Sequence, residues 1–208
     1  MSRRLAANDP TALPALVAAV LAGELVVVPT ETVYGITCAL DEAAVERLLV
    51  AKGRPASKGI TLLIDDLVDA AGLVDAPAGA ADLAARWWPG PLSLVLPLRA
   101  EVDLPDAVTG GSRSVGLRVP DQPLVRALAR ELGPLPLTSA NRTGEPDARS
   151  ADEARTSLGE AVAVFIDGGP SPGGRPSTVV ALAADGTGRI LRPGPIDAAS
   201  LGLPDPGR

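Results

Sequence analysis

Short apolar runs recur along this chain, and each stops at a proline or a polar cluster. Leu25-Val26-Val27-Val28 ends at Pro29, Ile60 to Ile64 at Asp65-Asp66, Leu135 to Thr138 at Ser139, and Ala161 to Ile166 at Asp167. Runs this short, closed by turn residues, are strands buried on both faces rather than helices. Longer segments with apolar residues at helical spacing lie between them. Strands and helices intermix with short connections, which predicts a single α/β domain around a twisted, mixed sheet.

In order, Leu13, Leu16, Val17, Val20 and Leu21 predict a first helix, entered at Asp9-Pro10 and ended by Gly23. Asp41 caps a second helix through Ala51, and Asp65-Asp66 caps a short one ending near Gly72. Ala80 to Trp87 is a further helix, Ser93 to Leu96 a strand, and Glu101 to Ser112 a surface excursion. In the strand Ser114 to Pro120, alternation puts Ser114, Gly116 and Arg118 on one face. Asp121 caps a helix through Leu132, and Ser150 to Glu153 has capping-box spacing. Strands at 178–182 and 188–192 complete the domain at residue 196, and residues 197–208 read as a loose tail.

Composition removes several chemistries. The chain has no histidine, so it holds no Ser-His-Asp triad, no imidazole acid or base and no His-containing zinc site. The one cysteine, Cys38, rules out an internal disulfide and reads as a small buried apolar residue. A formal net charge of -6 argues against a large non-specific nucleic-acid binder, and the scarcity of aromatics argues against base-stacking platforms. The first residues carry no long apolar stretch, so no secretory leader is expected. The longest apolar runs are too short to span a bilayer, and a cytoplasmic protein with no membrane contact is expected.

Lysine occurs only at Lys52 and Lys58, both within the loop Lys52-Gly53-Arg54-Pro55-Ala56-Ser57-Lys58-Gly59. In a chain that otherwise writes cations as arginine, the compact ammonium there reads either as a polyanion site or as an ordinary solvated basic turn. Polar clusters at strand ends (Thr30-Glu31-Thr32, Ser139-Ala140-Asn141, Asp167-Gly168-Gly169 and Arg192-Pro193-Gly194) suggest one shared cleft. Neither G-x-x-x-x-G-K-[ST] nor G-x-G-x-x-G opening a helix is present, so a nucleotide would be held by cations and loop amides. The glycine-rich loop from Gly168 to Gly174 reads either as an anion nest or as a flexible turn. Glu31 reads as a base for an ammonium group or as a turn-stabilising acceptor, Tyr34 as a packing residue, and Trp87 and Trp88 as core or cavity wall.

Six segments in one order carry a resemblance. They are Pro29-Thr30-Glu31-Thr32-Val33-Tyr34-Gly35, Lys52-Gly53-Arg54-Pro55, Trp88 to Leu96, Arg118-Val119-Pro120, Ser139-Ala140-Asn141 and Leu191-Arg192-Pro193-Gly194. Together, over about Leu16 to Ile196, they resemble the YrdC-domain family of threonylcarbamoyl-AMP synthases. The resemblance implies a twisted open sheet around a deep basic cavity. It also implies a reaction joining L-threonine, bicarbonate or CO2, and ATP to give threonylcarbamoyl-adenylate and pyrophosphate. Separate transferase proteins then pass the group to tRNA, with a possible weak tRNA contact by this chain, and Mg2+ travels on the ATP.

Residue by residue, the resemblance implies that Lys52 and Arg54 face the triphosphate and the carbamate as the catalytic pair. Lys58, Ser114, Asn141 and Arg149 join Arg54 on ATP, and Arg192 closes over the nucleotide. Thr32, Arg118, Ser139 and Ser177 hold threonine, with Arg118 on its carboxylate. Three positions depart from the longer members: Leu63 stands in place of a threonine-contacting histidine, Arg175-Pro176-Ser177-Thr178 in place of Glu-Ser-Thr, and Arg149 where threonine is frequent. At these points the chain resembles the shorter bacterial members. Other readings of the same fold are a carbamoyl-adenylate-forming module of hydrogenase maturation, an RNA-binding or ribosome-maturation module, and a catalytically silent homologue.

Overall fold

The computed structural model describes residues 2–204. The sheet gathers ten strands: β1 (Arg3–Ala6), β2 (Leu25–Val28), β3 (Gly35–Thr37), β4 (Thr61–Leu63), β5 (Leu92–Pro97), β6 (Ser114–Arg118), β7 (Leu135–Ser139), β8 (Val162–Asp167), β9 (Thr178–Leu182) and β10 (Gly188–Arg192). Their order is β1-β8-β2-β3-β7-β4-β6-β5-β9-β10. The sheet is mixed: β1/β8, β2/β8, β4/β6 and β5/β9 run parallel, and the other neighbours antiparallel. Seven α-helices accompany it: α1 (Ala12–Leu21), α2 (Glu42–Lys52), α3 (Ala80–Trp87), α4 (Asp106–Thr109), α5 (Pro123–Leu132), α6 (Ala151–Leu158) and α7 (Ala198–Leu201).

The period of two along a strand divides the interior into two cores. β2 gives Leu25 and Val27 to one core and Val26 and Val28 to the other. The first core takes Val45 and Leu48 of α2, Ala80 and Ala84 of α3, and Leu158 of α6. The second takes Leu16 and Val20 of α1 with Val125 and Leu128 of α5. Burying each of these valine and leucine side chains contributes about 1.5–3 kcal/mol, so the two layers are the main source of stability.

The second core covers only part of its face. Over β4, β6, β5 and β9 the apolar alternates Leu62, Leu117, Leu94 and Val180 point to the first core. The opposite alternates are Thr61, Gly116, Ser93 and Val179, which face an open cavity instead of a helix. A row of small and polar side chains on one side of an otherwise apolar sheet is what leaves room there.

Several boundaries differ from the sequence reading. The first helix starts at Ala12 behind Thr11, because the Asp9 carboxylate takes the Thr11 N–H and hydroxyl instead of capping. Gln122, not Asp121, caps α5, with Pro123 in its first turn. Ser150 caps α6, but Glu153 reaches back to the Arg149 N–H, so the reciprocal half of the capping box is displaced by one residue. The excursion at 101–112 contains α4 and buries Val108. Residues 197–204, expected to be loose, contain α7, capped by Asp197, and seat Leu201 against the first core. The remainder of that stretch, 205–208, lies outside the described residues. β1 and β3 were not anticipated.

Candidate active site

The cavity encloses about 610 Å³, within the range that holds a nucleotide-sized ligand. Its charged lining is three guanidiniums, from Arg54, Arg118 and Arg192, and one carboxylate, Asp147. Hydroxyls of Thr30, Ser93, Ser112, Ser114, Ser139 and Ser177 are among the other polar groups of the wall. Such a surface holds an excess of positive charge behind a low-dielectric floor, which attracts a polyanion.

Arg54 leaves the left-handed C-cap Gly53 of α2 and folds back on its own loop. Its Nε donates to the Lys58 carbonyl at 3.1 Å and its Nη2 to the Gly59 carbonyl at 2.8 Å. Arg192, at the end of β10, donates from Nη2 to the Ser177 carbonyl at 2.8 Å and to Ser177 Oγ at 3.1 Å. Ser177 Oγ in turn lies 2.8 Å from Ser93 Oγ. Burial lowers the pKa of both Arg54 and Arg192, and the neighbouring Arg118 cation lowers that of Arg192 further. Arg192 reaches Ser177 because the chain after it passes over the Ser177–Thr178 backbone. A Cβ on Gly194 would collide with the Thr178 amide nitrogen.

Arg118 is 7% exposed, and its side chain is tied to three residues in two segments. Its Nη2 donates to Glu31 Oε1 at 2.6 Å and to Thr32 Oγ1 at 2.8 Å, and its Nε donates to the Gly90 carbonyl at 3.3 Å. Ser114, Gly116 and Arg118 share the cavity face of β6, as alternation required.

Of the residues singled out in the sequence, Arg54, Ser114, Arg118, Ser139, Ser177 and Arg192 line the cavity, and Lys52, Lys58, Thr32, Asn141 and Arg149 do not. Lys52 is 2% exposed, and its ammonium donates to the Ser139 and Asn141 carbonyls behind the wall. Burial and the neighbouring Arg54 cation lower its pKa to about 8. Asn141 uses its Nδ2 to hold the Arg142 and Glu145 carbonyls at 3.1 and 2.8 Å, while its buried Oδ1 has no partner among the described residues. Lys58 is exposed on the loop that Arg54 braces. The Arg149 side chain is exposed and packs by Gly174. Leu63 is fully buried in the second core and pairs in register with Arg118 and Leu135.

Several polar lining residues escaped the sequence reading, among them Ser93, Thr30 and Asp147. Ser93 was visible in the alternation of β5 against Leu92, Leu94 and Leu96. Thr30 lay inside a highlighted cluster but drew no role. Asp147 had no local signal, since nothing around it marks a strand end. Tyr34, read as packing, is fully buried, and its hydroxyl donates to the Gly169 carbonyl at 2.7 Å and accepts from the Gly168 N–H at 3.0 Å. It thereby anchors the glycine-rich loop beside the cavity.

The family model Sua5/YciO/YrdC, described as telomere recombination, matches residues 18–194. The chain belongs to this family. A relative from Mycobacterium tuberculosis is 44% identical over 89% of this chain and 85% of its own length. The Bacillus subtilis threonylcarbamoyl-AMP synthase is 40% identical over 92% of this chain, which spans 56% of that longer protein. The crystal structure of Pyrococcus abyssi Sua5 complexed with L-threonine superposes with a TM-score of 0.86 at 33% identity, over 97% of this chain and 59% of that one. Escherichia coli YciO superposes with a TM-score of 0.83 over its whole length. No helix among the described residues is long and apolar enough to cross a membrane.

Proposed function

We propose that this chain is an L-threonylcarbamoyladenylate synthase serving threonylcarbamoyladenosine modification of tRNA. The observation that carries the proposal is the placement of Arg54, Arg118 and Arg192 around one cavity with a single opposing carboxylate. The similarity to proteins named threonylcarbamoyl-AMP synthase, over most of the chain, supplies the reaction.

The chemistry suits a site without histidine. The threonine amine adds to CO2, or to bicarbonate with loss of water, giving a carbamate. A carbamate oxygen then attacks the α-phosphorus of ATP, and pyrophosphate departs. The protein's tasks are to align the reactants, neutralise phosphate charge and keep water from a short-lived carbamate. Arg54 and Arg192 meet the triphosphate, Lys58 stands at its approach, and Ser114 contacts the nucleotide. Arg118 takes the threonine carboxylate, with Ser139 and Ser177 beside it. Lys52 and Asn141 act from behind by fixing the Ser139–Asn141 turn, and Thr32 and Arg149 likewise support the wall.

Among the described residues no group of three or more acidic, cysteine or histidine side chains could hold a metal. In this reading Mg2+ travels on the triphosphate, and Asp147 is the cavity carboxylate that would face it. Bound there, the ion would neutralise phosphate oxygens. Transferase proteins that consume the adenylate, and any tRNA contact, are further partners of this reading.

Incubation with ATP, L-threonine and bicarbonate, followed by chromatography and mass analysis, tests it. Threonylcarbamoyl-AMP together with pyrophosphate is the expected pair. Accumulation of ADP and phosphate, or no product while double-stranded RNA binds tightly, would remove the synthase assignment.

A further inference from the structure

The turn Thr30-Glu31-Thr32 spends its polar groups on the protein, and its main partner is the cavity arginine. Thr30 Oγ1 lies 2.6 Å from the Val33 carbonyl, an acceptor only, so the Thr30 proton is committed there. In the 2.9 Å contact between the two threonine hydroxyls, Thr32 is therefore the donor. Its oxygen is left as the acceptor for Arg118 Nη2. The second Nη2 hydrogen meets Glu31 Oε1, and Glu31 Oε2 accepts the Asp121 N–H at 3.0 Å. One carboxylate thus fastens the arginine to the chain leaving β6. With Nε on the Gly90 carbonyl, three of the five guanidinium hydrogens are used, and only Nη1 keeps donors without a described partner. Arg118 lines the cavity, whereas Glu31 and Thr32 do not.

We infer that Thr30-Glu31-Thr32 is a clamp that turns Arg118 so that Nη1 alone is offered to a ligand carboxylate, with Glu31 as the principal positioning residue. This rests on the reading of the cavity as an amino-acid site. Both edges that would make a two-nitrogen fork are blocked by the clamp, so the carboxylate is met by one nitrogen at a fixed angle. Each Glu31 oxygen accepts one hydrogen bond within the clamp, Oε1 from Arg118 and Oε2 from the Asp121 N–H.

Calorimetric titration of the full chain with L-threonine, L-threoninamide and ATP tests this, since the amide keeps the side chain and lacks the carboxylate charge. Wild type should prefer L-threonine over the amide, and Glu31→Gln should weaken L-threonine about tenfold, leaving the amide and ATP within about twofold. The Glu31→Gln enzyme should show a raised KM for L-threonine with kcat little changed. If Glu31→Gln keeps the preference, or weakens all three ligands alike, the clamp is overturned. Arg118→Ala separates the two claims: loss of preference there but not in Glu31→Gln sinks only the clamp. A wild type with no preference sinks the amino-acid site itself. Should Glu31→Gln fail to fold, Thr32→Val must lose the preference and Thr32→Ser must restore it.

Discussion

A buried ammonium group is tolerated only where carbonyls surround it, and Lys52 meets that condition with the Ser139 and Asn141 carbonyls. Its pKa, lowered to about 8 from 10.5, means that the folded chain releases this proton before the unfolded chain does. Between those values the unfolded state binds more protons, so the stability from this group rises with pH; below pH 8 its cost is carried in full. Lys52→Met should lose that slope, at most about 1.4 kcal/mol per pH unit. Denaturant unfolding of the variant and wild type at pH 7, 8, 9 and 10 checks this; equal slopes would refute it. The same variant should lose about 1–3 kcal/mol at pH 9 from carbonyls left unpaired. At this scale the sequence showed that the two lysines were unusual. It could not show that one is sealed behind the cavity wall while Arg54 lines it, because that depends on where the helix end meets β7.

Elements place the cations. β10 delivers Arg192 to Ser177 because Gly194 lets the chain lie directly on the Ser177–Thr178 backbone. Gly194→Ala should push this crossing apart, cost about 1–3 kcal/mol and raise the KM for ATP more than that for L-threonine. Thermal unfolding with steady-state kinetics decides it, and unchanged values would mean the crossing is not what seats Arg192. The strands at 178–182 and 188–192 were legible to the residue, since turn residues bracket both. The face of β6 was legible from alternation alone. β3 was not, because Gly35-Ile36-Thr37 is too short to show a period, and Gly35 is there so that Leu137 can pack on it. β1 escaped because its alternation is mostly arginine; Arg4 pairs with Asp152 and Asp167 at 2.6 and 2.7 Å instead of entering a core.

For the whole molecule the governing quantity is the charge of the cavity, three guanidiniums against Asp147. Asp147→Asn should tighten ATP binding about threefold in EDTA at low salt, with the gain shrinking at high salt and with added Mg2+. Titrations under the four conditions check this, and a loss of affinity in EDTA would contradict the charge argument. The α/β class and the polar strand ends were readable in the chain, but the opening over β4, β6, β5 and β9 was not. It arises from strands distant in sequence whose small alternates meet only in the folded sheet. The most direct measurement is pyrophosphate release from ATP by the full chain, with L-threonine and bicarbonate each supplied or withheld, alongside Arg54→Ala. Release that requires both co-substrates and falls at least about a hundredfold in Arg54→Ala is the expected result. Release that ignores threonine, or that survives in Arg54→Ala, would contradict the account.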